Sequence, residues 1–249
     1  MVLMKRYKCK ISYDGTAFHG YQVQPNKRTI QSELEAALTK LHKGREVKVT
    51  ASGRTDAGVH AKGQVIHFDS DLSIPLSRWQ LALHGALPSE IAILEVEEVT
   101  LDFHSRFDAI GKEYRYFIDN RKIRDPFQRN YSYHFPYPLD LDRIKEACTH
   151  FIGEYDFTSF CSAKTEVVDR VRTIYDLDIL SEGEQLVFRF RGNGFLYNMV
   201  RIIVGTLIQV GNGEIRPDSI PGILEKRDRT FAGKTAPSQG LYLWKVFYE

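Results

Sequence analysis

The segment Ser52-Gly53-Arg54-Thr55-Asp56-Ala57-Gly58-Val59-His60-Ala61 gathers the residue types that could do chemistry. Asp56 can serve as a nucleophile or a general base, and Arg54, two residues earlier, can hold a phosphate. Gly53, Gly58 and Gly63 let the backbone take tight or positive-φ geometry against a ligand. Read locally, the same segment is also an Asx-turn beside a solvated arginine. A second feature bears on that choice. Residues 195–210 read as one helix, apolar almost all round, with Arg201 its only charge. Such a helix is buried, and a buried guanidinium costs several kcal/mol unless a carboxylate meets it. No acid lies between Glu184 and Glu214, so the partner must come from elsewhere in the fold. Asp56 is the obvious candidate; the alternative is that Arg201 snorkels past its neighbours to water.

Other chemistries lack their residues. Gly58 to Gly63 and Gly15 to Gly20 have P-loop spacing, but Gln64 and Tyr21 follow where Lys and Ser/Thr are needed. There is no H-E-x-x-H, G-x-S-x-G or G-x-G-x-x-G pattern. The eight histidines are scattered singly, so no metal site and no nucleotide cofactor are expected. Cys9, Cys148 and Cys161 form no C-x-x-C pair and fit reduced thiols. The N-terminus turns polar too soon for a signal peptide, and no run reaches about 18 clean apolar residues. The expectation is a soluble, cytoplasmic protein without a membrane partner.

The elements that must position these residues follow from hydrophobic periodicity. Residues 7–13 read as a strand, and Thr29 caps a helix carrying Ile30, Leu34, Ala37, Leu38 and Leu41. A short strand near 46–50 leads into the loop 51–63, which precedes a strand at 64–69. A helix opened by Pro75 and a strand at 91–101 complete a β-α-β-β-α-β order, the split βαβ arrangement. The second half has a similar order: a strand at 107–118, a helix near 140–150 and strands near 168–181 and 185–192. The helix 195–210, a shorter helix after Pro217 and a final strand from Leu241 to Tyr248 close it. The expected fold is α+β, with two ferredoxin-like halves, mainly antiparallel sheets and an active-site cleft between them. Residues 1–105 would form the half with the loop 51–63, and residues 106–249 the half with Tyr114 and Arg201.

Several ordered stretches bear a resemblance to one family. Gly53-Arg-Thr-Asp-Ala-Gly-Val-His-Ala61 resembles the signature of the TruA-type tRNA pseudouridine synthases. The likeness extends through Tyr13-Asp-Gly-Thr-Ala-Phe-His-Gly20, Phe103-His-Ser-Arg-Phe-Asp-Ala109 and Lys112-Glu-Tyr-Arg-Tyr116. It continues in Asp156-Phe-Thr-Ser-Phe-Cys161, Gly194-Phe-Leu-Tyr-Asn-Met-Val-Arg201 and Thr235-Ala-Pro-Ser-Gln-Gly-Leu241. It departs at Tyr155, where the family commonly has His. The resemblance implies a homodimer without cofactor that isomerises uridine to pseudouridine at positions 38, 39 and 40 of tRNA, in the anticodon stem-loop. It implies Asp56 as the nucleophile, Tyr114 as the aromatic against the target base, Arg201 as the partner of Asp56, and Arg54 as an aid to extruding the uridine. Attack at the ribose C1′ and at the base C6 are both open to Asp56. Tyr114, Tyr116 and Ile118 share one face of a strand, so core packing is the alternative for Tyr114. A binding module that positions tRNA without catalysis is the second functional class, which the pairing of Asp56 with Arg201 disfavours.

The 249 residues carry 34 Lys and Arg against 32 Asp and Glu, a formal charge of +2 that alone says nothing of nucleic acid. The distribution says more. Residues 79–105 hold five acids and no base, whereas 106–129 hold seven bases and four acids, interleaved with Phe107, Tyr114, Tyr116, Phe117 and Phe127. Basic residues among aromatics suit phosphate contacts and base stacking, although a charge block is also simply a solvated face. The expectation is a surface with its charges segregated and a basic side toward tRNA.

Overall fold

The computed structural model describes residues 3–165 and 167–248; the first two residues of the N-terminal segment lie outside the described residues. The chain divides into two compact units, Met1–Ile110 with Tyr242–Glu249, and Gly111–Leu241. The break thus falls after residue 110, and the final strand goes with the first unit rather than with the half in which it lies in sequence.

In the first unit β1 (Lys5–Tyr13), α1 (Ile30–Leu41), β2 (Thr50–Ala51), β3 (His60–Ser70), α2 (Leu76–His84) and β4 (Ile91–Val99) succeed one another. β1 lies between β3 and β4 and is antiparallel to both, and β2 is antiparallel to β3. The C-terminal strand, Leu241–Phe247, adds parallel to β3 through Tyr242↔His60 and Leu243↔Ala61. Strict alternation makes β1 half-buried: Tyr7, Cys9, Ile11 and Tyr13 face inward, Lys8 and Lys10 outward. α1 buries Ile30, Leu34, Ala37 and Leu38. Thr29 caps it in a reciprocal box with Ser32, whose hydroxyl takes the Thr29 N–H. Two boundaries differ from expectation. The strand near 46–50 shrinks to Thr50–Ala51, and β3 begins at His60. Pairing with Tyr13 on one side and Tyr242 on the other draws the last residues of the expected loop into the ladder.

The second unit contains β5 (Gly111–Asp119), β6 (Tyr133–His134), α3 (Leu141–Thr149), β7 (Gly153–Asp156), β8 (Val171–Glu182), β9 (Gln185–Gly192), α4 (Met199–Gly211) and α5 (Ile220–Lys226). The strands run β5-β9-β8-β7, antiparallel throughout, with β6 parallel to β5. Both units are therefore mixed α+β with mostly antiparallel sheets. β6 and β7 are too short to register as periodicity. α4 starts four residues later than position 195, at Met199, because Asn198 sits in the left-handed region at φ 61 and breaks the chain direction.

The expected segregation of charge does not survive folding. β1 and β4 are neighbours, and Glu95, Glu97 and Glu98 of the acidic run pair with Lys10, Lys8 and Lys5 at 2.7, 3.5 and 2.8 Å. Glu90 meets Arg28 at 3.0 Å, and Asp176 meets Arg189 across β8 and β9 at 2.9 Å. Acids grouped in sequence are thus mixed with bases by cross-strand register. The aromatics divide as well. Tyr116 is wholly buried, whereas Phe107 and Phe127 stand in solvent, so the basic stretch does not present all its rings for stacking. Among the described residues no helix is long and apolar enough to cross a membrane. Among the same described residues no group of three or more His, Cys, Asp or Glu could hold a metal ion, and the three cysteines are buried and unbridged.

Candidate active site

Asp56 sits in the turn between β2 and β3, and that turn is held from behind by a buried polar lattice. Ser52 donates its hydroxyl to Gln64 Oε1 at 2.6 Å, and Gln64 Nε2 donates to the Gly53 carbonyl at 2.8 Å. The Thr55 hydroxyl lies 2.8 Å from the Tyr13 hydroxyl. Burial pushes the Tyr13 phenol up to about 12, so it stays a neutral hydrogen-bonding group. The Val59 N–H closes the turn on the Asp56 carbonyl at 3.1 Å. Ser52 and Thr55 are buried, Asp56 is half-buried and Arg54 is exposed. The lattice thus fixes the backbone on either side of a carboxylate that retains access to solvent.

A second segment clamps the turn from the other side. Residues 14–20 cross it, and the Tyr21 N–H donates to the Thr55 carbonyl at 3.0 Å. Gly15 lies so close that a Cβ there would run into the Val59 carbonyl, 2.6 Å from its carbon. Gly20, at φ +89, is similarly tight, with its notional Cβ 2.8 Å from the Thr55 oxygen. The Gly15 N–H donates to Nδ1 of His60 at 3.1 Å, and the His60 ring stacks on Tyr242 with centroids 4.6 Å apart. Of these supporting residues, Ser52 and Thr55 lie in the glycine-rich segment itself and Tyr13, Gly15 and Gly20 in the stretch Tyr13–Gly20, which matters through backbone proximity rather than reactive chemistry; Gln64 carries no such signal.

In the second unit Tyr114 and Tyr116 lie on the same face of β5, opposite Phe190 and Phe188 of β9. Their environments differ. Tyr116 is 0% exposed and donates its hydroxyl to the Pro237 carbonyl at 2.8 Å. Tyr114 keeps 8% of its surface and meets Phe195 edge to face, centroids 5.2 Å apart. Tyr116 is a fully satisfied core residue; Tyr114 is buried too but keeps a little exposed surface.

Arg201 is half-buried on α4 rather than enclosed. Its Nε donates to the Ala236 carbonyl at 2.7 Å and its Nη1 to Asn198 Oδ1 at 2.8 Å. The Ala236 N–H in turn donates to the Arg201 carbonyl at 3.0 Å. The Thr206 hydroxyl accepts the Gly233 N–H at 2.9 Å, and a Cβ at Gly205 would lie 2.9 Å from the Lys234 carbonyl carbon. The segment 233–237 is therefore laid directly on α4, and its Ala236 carbonyl and the Asn198 Oδ1 are the two neutral oxygens that together hold the guanidinium. Asn198, bent into the left-handed region and making no helix cap, is free to serve as one of them. Asp56 and Arg54 thus belong to the first unit and Tyr114 and Arg201 to the second.

Comparison with known proteins gives this arrangement its context. The sequence model of a family described as tRNA pseudouridine synthase matches residues 10–108 and 147–249, spanning both β1–β4 and α4 with its supporting segment. The chain belongs to that family. It is accordingly an enzyme, an isomerase of uridine in tRNA. It is 59% identical over 248 residues to tRNA pseudouridine synthase A of Listeria monocytogenes, covering 99% of this chain and 100% of that protein. It is 58% identical to the corresponding proteins of Bacillus cereus (98% and 99% covered) and of a Geobacillus species (99% and 100%). Among solved structures, the Cbf5-Nop10-Gar1 complex aligns with a TM-score of 0.34 at 14% identity. The alignment covers 81% of this chain and 54% of that chain, a likeness too remote to carry an argument.

Proposed function

We propose that this synthase converts uridine to pseudouridine at positions 38, 39 and 40 of tRNA, in the anticodon stem-loop, with Asp56 as the nucleophile. The reaction breaks the N1–C1′ bond, turns the uracil and joins C5 to C1′; C5 loses a proton and N1 carries one, so neither an oxidant nor a nucleotide is consumed. A covalent carboxylate adduct splits one difficult step into two easier ones. The observation that carries this reading is the turn at Asp56: a half-buried carboxylate on a backbone pinned from both sides. Pinning serves a nucleophile, which must meet a reacting atom within a few tenths of an ångström, and has little use in a solvated Asx-turn.

The other roles follow from chemistry. The target base must leave its stack at a cost of a few kcal/mol, and we assign Tyr114, buried but for 8% of its surface, as the aromatic that packs against it. Arg54, exposed two residues before Asp56, supplies a cation for the phosphate of the extruded nucleotide. We assign Arg201 as the ionic partner of Asp56, since a guanidinium keeps a carboxylate charged inside a closed site. The strand orders of the two units support a ferredoxin-like reading of each, and the family resemblance supports a cytoplasmic homodimer.

The deciding experiment incubates the purified protein with unmodified tRNA, without added metal or nucleotide, and measures pseudouridine by nucleoside analysis. Wild type is expected to form it. Asp56→Ala is expected to abolish formation while tRNA affinity stays within about tenfold, a 1.4 kcal/mol limit. Full activity in that variant removes Asp56 from the mechanism.

A further inference from the structure

Residues 120–132, between β5 and β6, carry features the reaction at Asp56 does not use. Ile123 and Phe127 are 84% and 81% exposed. Large apolar side chains in water are usually borne by loose chain, but this loop is bonded to itself and to the sheet. Arg121 donates through Nε and Nη2 to the two oxygens of Asp119 at 2.7 and 3.0 Å, and reaches Asp125 at 3.3 Å and Glu184 at 3.6 Å. The Phe127 N–H donates to Asp125 Oδ1 at 2.9 Å, and Arg129 Nη1 to the Pro126 carbonyl at 2.7 Å. Asn120 Nδ2 spans the Phe135 and Tyr137 carbonyls at 2.6 and 2.9 Å. The exposure of Ile123 and Phe127 is therefore built into the fold.

The charges sort in the same way. Both acids near the start of the loop, Asp119 and Asp125, are taken up by Arg121. Lys122 and Arg124, exposed on either side of Ile123, have no ion-pair partner among the described residues. A rigid loop thus presents one aromatic ring, one aliphatic side chain and two uncompensated cations. Asp119 lies five residues beyond Tyr114 on β5, about 17 Å along a strand.

We propose that the loop 120–132 is a second RNA-docking surface, which stacks an unpaired base of the tRNA on Phe127 and holds neighbouring phosphates with Lys122 and Arg124. This rests on the tRNA reading above and extends it to nucleotides beyond the one that reacts. Aromatic faces accept any base, and cations follow the backbone, so the surface contributes affinity and register rather than sequence choice. A second copy of the chain fits the patch less well. A two-fold interface centred on the loop would gather Lys122 and Arg124 of both copies in one small area, where like charges oppose association. A polyanion neutralises them.

The test compares wild type, Phe127→Ala and Lys122→Glu/Arg124→Glu for binding to unmodified tRNA over a range of salt, alongside single-turnover pseudouridine formation at saturating enzyme. These side chains are exposed, so the variants should melt with wild type. Phe127→Ala is expected to weaken binding about tenfold. The double variant is expected to weaken it more at low salt and to flatten the salt dependence, lowering the slope of log affinity against log salt by about 1.5. Single-turnover rates at saturation should remain those of wild type. Unchanged affinity and salt slope in both variants overturn the proposal, as does a shift in sedimenting mass, which would place the patch in a protein interface. Wild type that binds tRNA but yields no pseudouridine overturns the functional reading instead, and the binding comparison still decides the loop.

Discussion

Substituting Gly15 by alanine tests whether the turn at Asp56 works through its clamped backbone. The added Cβ would sit 2.6 Å from the carbonyl carbon of Val59. Carbon atoms pack at about 3.5 Å or more, so the two backbones must separate by about 1 Å. Neither neighbour can swing aside, since both contacts are main chain. Val59 also closes the turn on the Asp56 carbonyl, so the displacement passes to the nucleophile. A misplacement of about 1 Å costs on the order of 100-fold in rate, and overpacking costs about 1–3 kcal/mol of stability. The assay is single-turnover pseudouridine formation on unmodified tRNA with enzyme in excess, paired with urea unfolding to show that the variant is folded at the assay temperature. Gly44→Ala is the control. Gly44 has φ +95 with nothing within 4 Å of a Cβ, so it incurs backbone strain of about 1 kcal/mol but should leave the rate alone. A folded Gly15→Ala protein whose rate stays within threefold of wild type would refute the clamping argument.

Three further outcomes are expected. Tyr116→Phe removes the bond to the Pro237 carbonyl and should cost about 1 kcal/mol of stability with turnover nearly unchanged, whereas Tyr114→Ala should lower turnover at saturating tRNA at least tenfold. The reverse result would make Tyr116 the substrate-facing ring. Asn198→Gly keeps the left-handed backbone but removes the oxygen that takes Arg201 Nη1; the single-turnover rate should fall several-fold with tRNA affinity unchanged, and an unaltered rate would show that Ala236 alone suffices. Burial, helped by the charges of Arg6 and His104, pushes the His67 imidazole down to about 4, and its Nδ1 accepts the Ser105 N–H at 3.2 Å. Because that lies below the unfolded value near 6.5, the unfolded chain takes up the proton first as pH falls. Stability is full above about pH 6.5 and declines toward pH 4, by about 3 kcal/mol at most; urea titrations should show this slope, and His67→Asn should flatten it.

Asp56, Arg54 and Arg201 stand out as candidates by type and spacing, because Asp56 and Arg54 lie in one glycine-rich turn and Arg201 interrupts an apolar run. The order of helices and strands was legible wherever periodicity lasted two turns or more, as in α1, β1 and β9. What escaped has a common cause: it depends on neighbours distant in sequence. β2 is only two residues long, and β3 gains His60 and Ala61 through Tyr242 and Tyr13 respectively. The left-handed backbone of Asn198, which delays α4, has no periodicity to announce it. The acidic run at 90–98 looked like a negative face until register set it against Lys5, Lys8, Lys10 and Arg28. A one-dimensional charge pattern is informative only where the strand beside it does not carry the opposite pattern.

The two units solve the same physical problem in the same manner. Each holds one ionic side chain, Asp56 or Arg201, on main chain that is itself locked in place. In the first unit, main chain approaches main chain at Gly15 and Gly20, and buried amides and hydroxyls lock the turn. In the second, the segment 233–237 lies against Gly205 and Thr206, and its Ala236 bonds both the carbonyl and the Nε of Arg201. Backbone contacts of this kind remove the freedom of the chain that bears the charged head. Charges borne on fixed main chain need less of a ligand's binding free energy to order them. On this argument the long motifs around Tyr13–Gly20 and Thr235–Leu241 are constrained by the space they leave rather than by what they touch. A larger residue at their close approaches should then impair catalysis before it impairs binding.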